Sequence, residues 1–141
     1  MTQEHKDLLL KDLCARLPYG VRCSFGVDDA IYEICGINPT CCGASEIQAT
    51  HVKSSINGDF SLISCKPYLF PLSSMTEDQK KEYNFWKHEV PVCHYAYGDV
   101  IEEVELFDSP ASFDYLIENH FDYYGLIPLG LAEDATGKNI Y

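Results

Sequence analysis

The sequence predicts an α+β domain in which a small antiparallel sheet, of the size that curls into SH3-like barrels, is flanked by about three helices. Three observations carry this. Apolar residues recur with helical spacing near both ends of the chain, short segments between 21 and 65 alternate apolar and polar residues between turn formers, and a threonine-led capping sequence opens a helix in the middle. With 141 residues, 46% of them hydrophobic, one compact domain over 1–141 is expected, and its core needs neither disulfide nor metal.

Leu10, Leu13, Cys14 and Leu17 fall at i, i+3, i+4 and i+7, and Pro18 with Gly20 stops the run, which predicts a helix over 3–17 with that stripe inward. Segments 21–25 and 30–35 alternate on either side of a turn at 26–29 and read as an antiparallel pair. Segment 38–45 is turn chemistry. Asn57-Gly58, both tolerant of the positive φ of a type I′ turn, predicts a hairpin joining strand 46–55 to strand 59–65. Pro67 and Pro71 argue against a central strand around Tyr68, Leu69 and Phe70, and favour an extended or single-turn connector.

Thr76-Glu77-Asp78-Gln79 has the form of a capping box and predicts a helix over 77–88, with Tyr83 and Trp86 facing inward. A second hairpin is expected from 92–97 and 100–107, turning at Gly98-Asp99. Ser109 suits an N-cap and Pro110 the first helical position. Phe113, Leu116, Ile117, His120 and Phe121 then repeat with helical spacing, and Gly125 is the expected C-terminal cap. Residues 126–141 read as an irregular tail anchored by Leu126, Ile127, Leu129 and Leu131.

The net charge of −12 is unevenly placed: residues 76–141 hold fourteen acids against four lysines, and no Lys or Arg stands between Lys87 and Lys138. Such a half repels nucleic-acid phosphate. It predicts instead an acidic contact face for a basic protein partner, with tyrosine anchors, and the expected contact residues are Glu102, Glu103, Glu105, Glu118, Asp122, Tyr123 and Tyr124. The polar start of the chain is unlike a secretory leader, and no apolar run approaches the ~18 residues of a membrane span. An odd set of seven cysteines suits a reducing, cytoplasmic setting.

No residue pattern predicts catalysis, so an interaction protein rather than an enzyme is expected. His120 lies between Glu118 and Asp122, as a general base would, yet it also falls on the apolar stripe of its helix. Cys93 and His94 are strand neighbours and point to opposite faces. Cys35, Cys41, Cys42 and His51 lack a Cys-x-x-Cys spacing, so no metal is expected. Gly137-Lys138 has no phosphate-loop context, and no cofactor is expected. The alternative is a small-molecule or nucleotide binder that uses the less acidic N-terminal half through Arg16, Arg22, Lys53 and Lys66.

Segments 8–21 (Leu8-Leu9-Leu10-Lys11-Asp12-Leu13-Cys14 onward), 66–77 (Lys66-Pro67-Tyr68-Leu69-Phe70-Pro71 onward) and 121–128 (Phe121-Asp122-Tyr123-Tyr124-Gly125 onward) resemble a family of small uncharacterised proteins of Bacteroides-type gut bacteria, their prophages and their phages. The resemblance implies a phage or mobile-element setting within a bacterial host cell. It brings no activity and no catalytic residues, and members often carry Arg where this chain has Tyr124.

Overall fold

The computed structural model describes residues 1–26, 30–39, 45–96 and 99–141. The chain forms two compact units, Met1–Ser74 with Ile117–Tyr141, and the inserted stretch Met75–Leu116. The architecture is α+β, as expected, and among the described residues no helix is long and apolar enough to cross a membrane.

In the first unit, helix α1 (Gln3–Arg16) starts where the Thr2 hydroxyl accepts the His5 N–H at 3.2 Å. It ends in a 3-10 turn at Leu17–Tyr19 closed by Gly20 at φ 69°. Its inward stripe differs from the expected one: Leu9, Asp12, Leu13 and Arg16 are buried, whereas Cys14 is exposed and Leu10 half-buried. The helix is rotated by about one position because Asp12 and Arg16 neutralise one another and can then face the core.

A six-stranded sheet follows, formed by β1 (Arg22–Ser24), β2 (Tyr32–Pro39), β3 (Ser45–His51), β4 (Asn57–Ser61), β5 (Lys66–Leu69) and β8 (Glu133–Asp134) in the order β4-β3-β2-β1-β5-β8. All neighbours are antiparallel except β5 and β8. The order ends at β4 and β8, and among the described residues no pair closes it into an SH3-like barrel. Leu9, Leu13, Val21, Cys23, Ile34, Ile47, Leu69 and Leu126 form the core between α1 and the sheet. Phe25 stacks on Phe60 at 3.9 Å, and Tyr32 meets both rings edge-on.

Two turn signals prove to be strand. The β3–β4 reversal sits at Val52–Ser54, not at Asn57-Gly58, and the strands are shorter than expected. His51 Nδ1 accepts the Ser54 N–H at 3.0 Å and Ser55 takes φ 56°, so this turn is built by a histidine that side-chain statistics do not flag. Gly58 is needed in β4 for another reason: a Cβ there would lie 2.9 Å from the ring of Phe60, which folds back over it. Pro67, likewise, lies within β5, flanked by β1 and β8. Having no N–H, it can face Cys23 only as a non-hydrogen-bonded pair, and its nitrogen then points to the side where β8 begins pairing one residue later, at Tyr68. The single turn expected beyond it is the 3-10 turn Leu72–Ser74.

The second unit contains α2 (Glu77–Phe85), the two-stranded ribbon of β6 (His88–Ala96) and β7 (Asp99–Phe107), and most of α3 (Pro110–Glu118). Both halves of the expected capping box are present: Gln79 N–H to Thr76 Oγ1 at 3.2 Å, and Thr76 N–H to Gln79 Oε1 at 2.9 Å. Trp86 is 43% exposed and does not face inward; α2 ends just before it. Ser109 and Ser112 cap α3 reciprocally, Ser109 N–H to Ser112 Oγ at 2.7 Å and Ser112 N–H to Ser109 Oγ at 3.1 Å. This helix stops at Glu118, so His120 and Phe121 are outside it. His120 itself, at φ 58°, is the left-handed residue beyond the helix end, where Gly125 was expected. Of the tail anchors, Leu126 and Leu131 are buried, while Leu129 is 46% exposed. The turn at 26–29, the pair Cys41-Cys42 and the turn at Gly98 fall wholly or partly outside the described residues.

Candidate functional site

The expected contact residues are divided between the two units. Glu102, Glu103 and Glu105 stand on β7 opposite Cys93, Val92 and Val90 of β6. Glu118, Asp122, Tyr123 and Tyr124 belong to the first unit. Glu118 and Tyr123 are exposed, and the Tyr123 and Tyr124 rings meet edge-on at 5.0 Å with Lys11 Nζ 5.1 Å from the centre of the Tyr124 ring. Asp122 is a correction: it is 6% exposed, and its carboxylate accepts the N–H groups of Leu126 at 2.7 Å and Ile127 at 2.9 Å. It folds the 122–127 loop and is no contact residue. A buried loop with unpaired N–H groups needs such an acceptor, and a short carboxylate supplies it.

The second unit is the more acidic, with ten Asp and Glu against three lysines. Each lysine has an acid of the same unit within reach: Lys80–Glu77 at 2.7 Å, Lys81–Asp78 at 3.6 Å and Lys87–Asp108 at 3.8 Å. Tyr83 donates to Asp108 at 2.5 Å, and Lys87 Nζ lies 4.4 Å from the centre of the Tyr83 ring. Residues 88–107, the β6–β7 ribbon with its turn, hold five acids and neither Lys nor Arg. Compared with known proteins, the chain matches no family model, no curated protein and no solved structure. The candidate site therefore rests on its own chemistry.

Beneath α1 lies a polar centre that sequence reasoning missed. Arg16, fully buried, donates to both carboxylate oxygens of Asp12 at 2.8 Å, to the Phe121 carbonyl at 2.7 Å and to the Ile117 carbonyl at 3.3 Å. Both carbonyls also accept a backbone N–H, Ile117 from His120 at 3.1 Å and Phe121 from Tyr123 at 2.9 Å, so Arg16 adds a second, charged donor to each just past the end of α3. Arg16 is therefore unavailable to an anionic ligand, contrary to the nucleotide-binding alternative. Burial pushes the Asp12 carboxyl above its ordinary value against the pull of Arg16. A signal did exist: Asp12 and Arg16 are four residues apart, the spacing of a helical ion pair, and Arg16 completes a stripe with Leu9 and Leu13.

His120 stacks flat on Tyr141 with ring centres 3.8 Å apart, and its buried Nδ1 has no hydrogen-bond partner among the described residues. Burial first, then the charges of Arg16 and Arg22, push its pKa down to about 4. Both causes favour the neutral ring, which stacks on Tyr141. Tyr141, raised by burial to about 12, donates to the Tyr68 carbonyl at 2.8 Å and accepts the Arg22 N–H at 3.2 Å. Arg22 also donates to the Ile140 carbonyl and stands 3.7 Å from Glu33, so it too is committed to structure.

On the outer face of the sheet, a groove of about 330 Å³ is lined by Cys35, Gln48, Thr50, Asn57 and Asp59. The register shift between Ile34 and Gly36 sets Cys35 at a bulge, where its thiol meets the Thr50 hydroxyl at 3.0 Å, which in turn donates to Asn57 Oδ1 at 2.6 Å. A second groove, of about 210 Å³, lies toward the other face at the same strands, between Tyr32, His51, Ile56 and Phe60.

Proposed function

We propose that the protein is a non-enzymatic interaction protein whose inserted acidic unit docks on a basic protein, in keeping with the mobile-element setting its resemblance implies. The observation that carries this is the charge balance of the β6–β7 ribbon. Five acids stand on a two-stranded backbone without one Lys or Arg, in a unit whose three lysines already have acidic neighbours. A run of acids with no Lys or Arg among them attracts and orients a cationic surface, and that attraction weakens as salt shortens the Debye length.

The test is capture of partners from a bacterial host lysate at about 0.05 M and about 0.5 M salt, where screening lengths differ about threefold. Wild-type chain is compared with a Glu102→Gln, Glu103→Gln, Glu105→Gln variant. Capture of a basic protein that fades at the higher salt and is lost in the variant supports the reading. Capture indifferent to both, or no captured protein, overturns it. The small-molecule alternative loses two of its four anion contacts, because Arg16 is buried and Arg22 is bound to the chain's own carbonyl and carboxylate, while Lys53 and Lys66 are exposed.

A further inference from the structure

Strand β4 is an end of the sheet, and among the described residues nothing pairs with its outer edge. The ladder on its inner side settles which groups that edge offers. His51 N–H donates to the Ile56 carbonyl, so Ile56, Gly58 and Phe60 face β3 in alternation. Asn57 and Asp59 therefore turn their N–H and C=O groups outward, and Ser61 its N–H, the Ser61 carbonyl being taken by the Ser64 hydroxyl at 2.9 Å. Proteins commonly blunt such edges with lysine, proline or a bulge. Strand β4 carries none of these.

The two grooves described above share Asn57 and Gly58 and open toward opposite faces of this edge. A strand laid against β4 sends alternate side chains to opposite faces. On one face they meet the oxygens of Gln48, Thr50, Asn57 and Asp59; on the other they meet Tyr32, Phe60 and Ile56, the last 68% exposed. We infer that the β4 edge binds an extended peptide segment whose residues alternate between cationic and aliphatic, by adding it as a further strand of the sheet. The cationic positions answer the Asp59 carboxylate and the chain's net charge of −12, and the aliphatic ones answer the aromatic groove. A second copy of this chain fits worse, since antiparallel β4–β4 pairing centred on Asp59 sets like charges opposite one another. This inference uses a different surface from the acidic ribbon and stands apart from it.

The probe is a fluorescein-labelled, end-capped hexapeptide alternating lysine and valine, titrated by anisotropy at about 0.15 M salt, where long-range attraction is largely screened. Two control peptides keep the charge: one groups the three lysines in a block, the other is N-methylated at alternate amides. Binding of the alternating peptide, with amide shifts at Asn57, Asp59 and Ser61, and weak binding of both controls, is expected. Asp59→Pro removes an outward N–H while sparing the β3 ladder, and is expected to weaken binding about tenfold, more than one ordinary hydrogen bond is worth because the ring also obstructs the edge. Asp59→Asn keeps the backbone and weakens binding by the charge alone. Glu102→Gln, Glu103→Gln, Glu105→Gln leaves it unchanged, which separates this site from the acidic ribbon. Equal binding of the block peptide, indifference to Asp59→Pro, no binding, or a concentration-dependent dimer that Asp59→Pro dissolves would each overturn the inference.

Discussion

Replacing Arg16 with methionine removes one guanidinium and strands a buried carboxylate. Asp12 loses two bonds at 2.8 Å, while the carbonyls of Ile117 and Phe121 lose the charged donor but keep the N–H groups of His120 and Tyr123. Asp12 and Arg16 are both 0% exposed, so water cannot take over without opening the core. Removing one partner of a buried ion pair costs about 3–5 kcal/mol, because the other charge stays behind. In a compact unit of about 100 residues each kcal/mol lowers the melting temperature by about 4–8 °C, so a fall on the order of 12–40 °C is expected. Pairing Arg16→Met with Asp12→Leu removes the stranded charge as well, and the two carbonyls still accept the His120 and Tyr123 N–H groups, so the double variant is expected to be more stable than Arg16→Met alone. Urea unfolding followed by far-UV circular dichroism, with the slope of the transition held constant between variants, measures all three. An Arg16→Met variant within about 1 kcal/mol of wild type, or a double variant whose loss equals the sum of Arg16→Met and Asp12→Leu measured singly, would show that the pair does not hold this part of the core together.

His120 links stability to pH. Its folded pKa, about 4, lies below the ordinary 6.5, so the unfolded chain takes up the proton first; stability is full above pH 6.5 and falls as pH drops toward 4. The loss from this residue is at most about 3 kcal/mol. His120→Asn, which tolerates φ 58°, is expected to flatten that part of the pH profile, and an unchanged slope refutes the assignment. Gly58→Ala drives a Cβ to 2.9 Å from the Phe60 ring and is expected to cost about 1–3 kcal/mol and to alter the near-UV signal of the Phe25–Tyr32–Phe60 cluster; a silent substitution would mean the ring moves freely. Thr76→Ala opens the capping box and is expected to cost about 1 kcal/mol, read as faster amide exchange in the first turn of α2; unchanged exchange there would dismiss the cap.

Elements governed by neighbouring residues were legible. The capping box at Thr76, the start of α3 at Ser109-Pro110, the antiparallel β1–β2 pair and the β6–β7 ribbon each follow from groups within a few positions of one another. The candidate site was legible only as charge. Its three glutamates could be placed on one strand from the β-favouring residues around them, but nothing local separates an acid that meets solvent from one, like Asp122, that turns inward to accept two backbone N–H groups.

By itself the sequence determined the class of fold, the positions of helix starts and the excess of acid in the second half, because these depend on residue type and spacing along the chain. Only the tertiary structure decided that Asp12 and Arg16 face the core, that Asn57-Gly58 and Pro67 are strand, and that His120 rather than a glycine follows the last helix. The physical reason is common to all of them. Whether a charge, a proline or a left-handed histidine can be accommodated depends on partners far along the chain, as when Arg16 meets carbonyls 101 and 105 residues away, and no local pattern encodes such a partner.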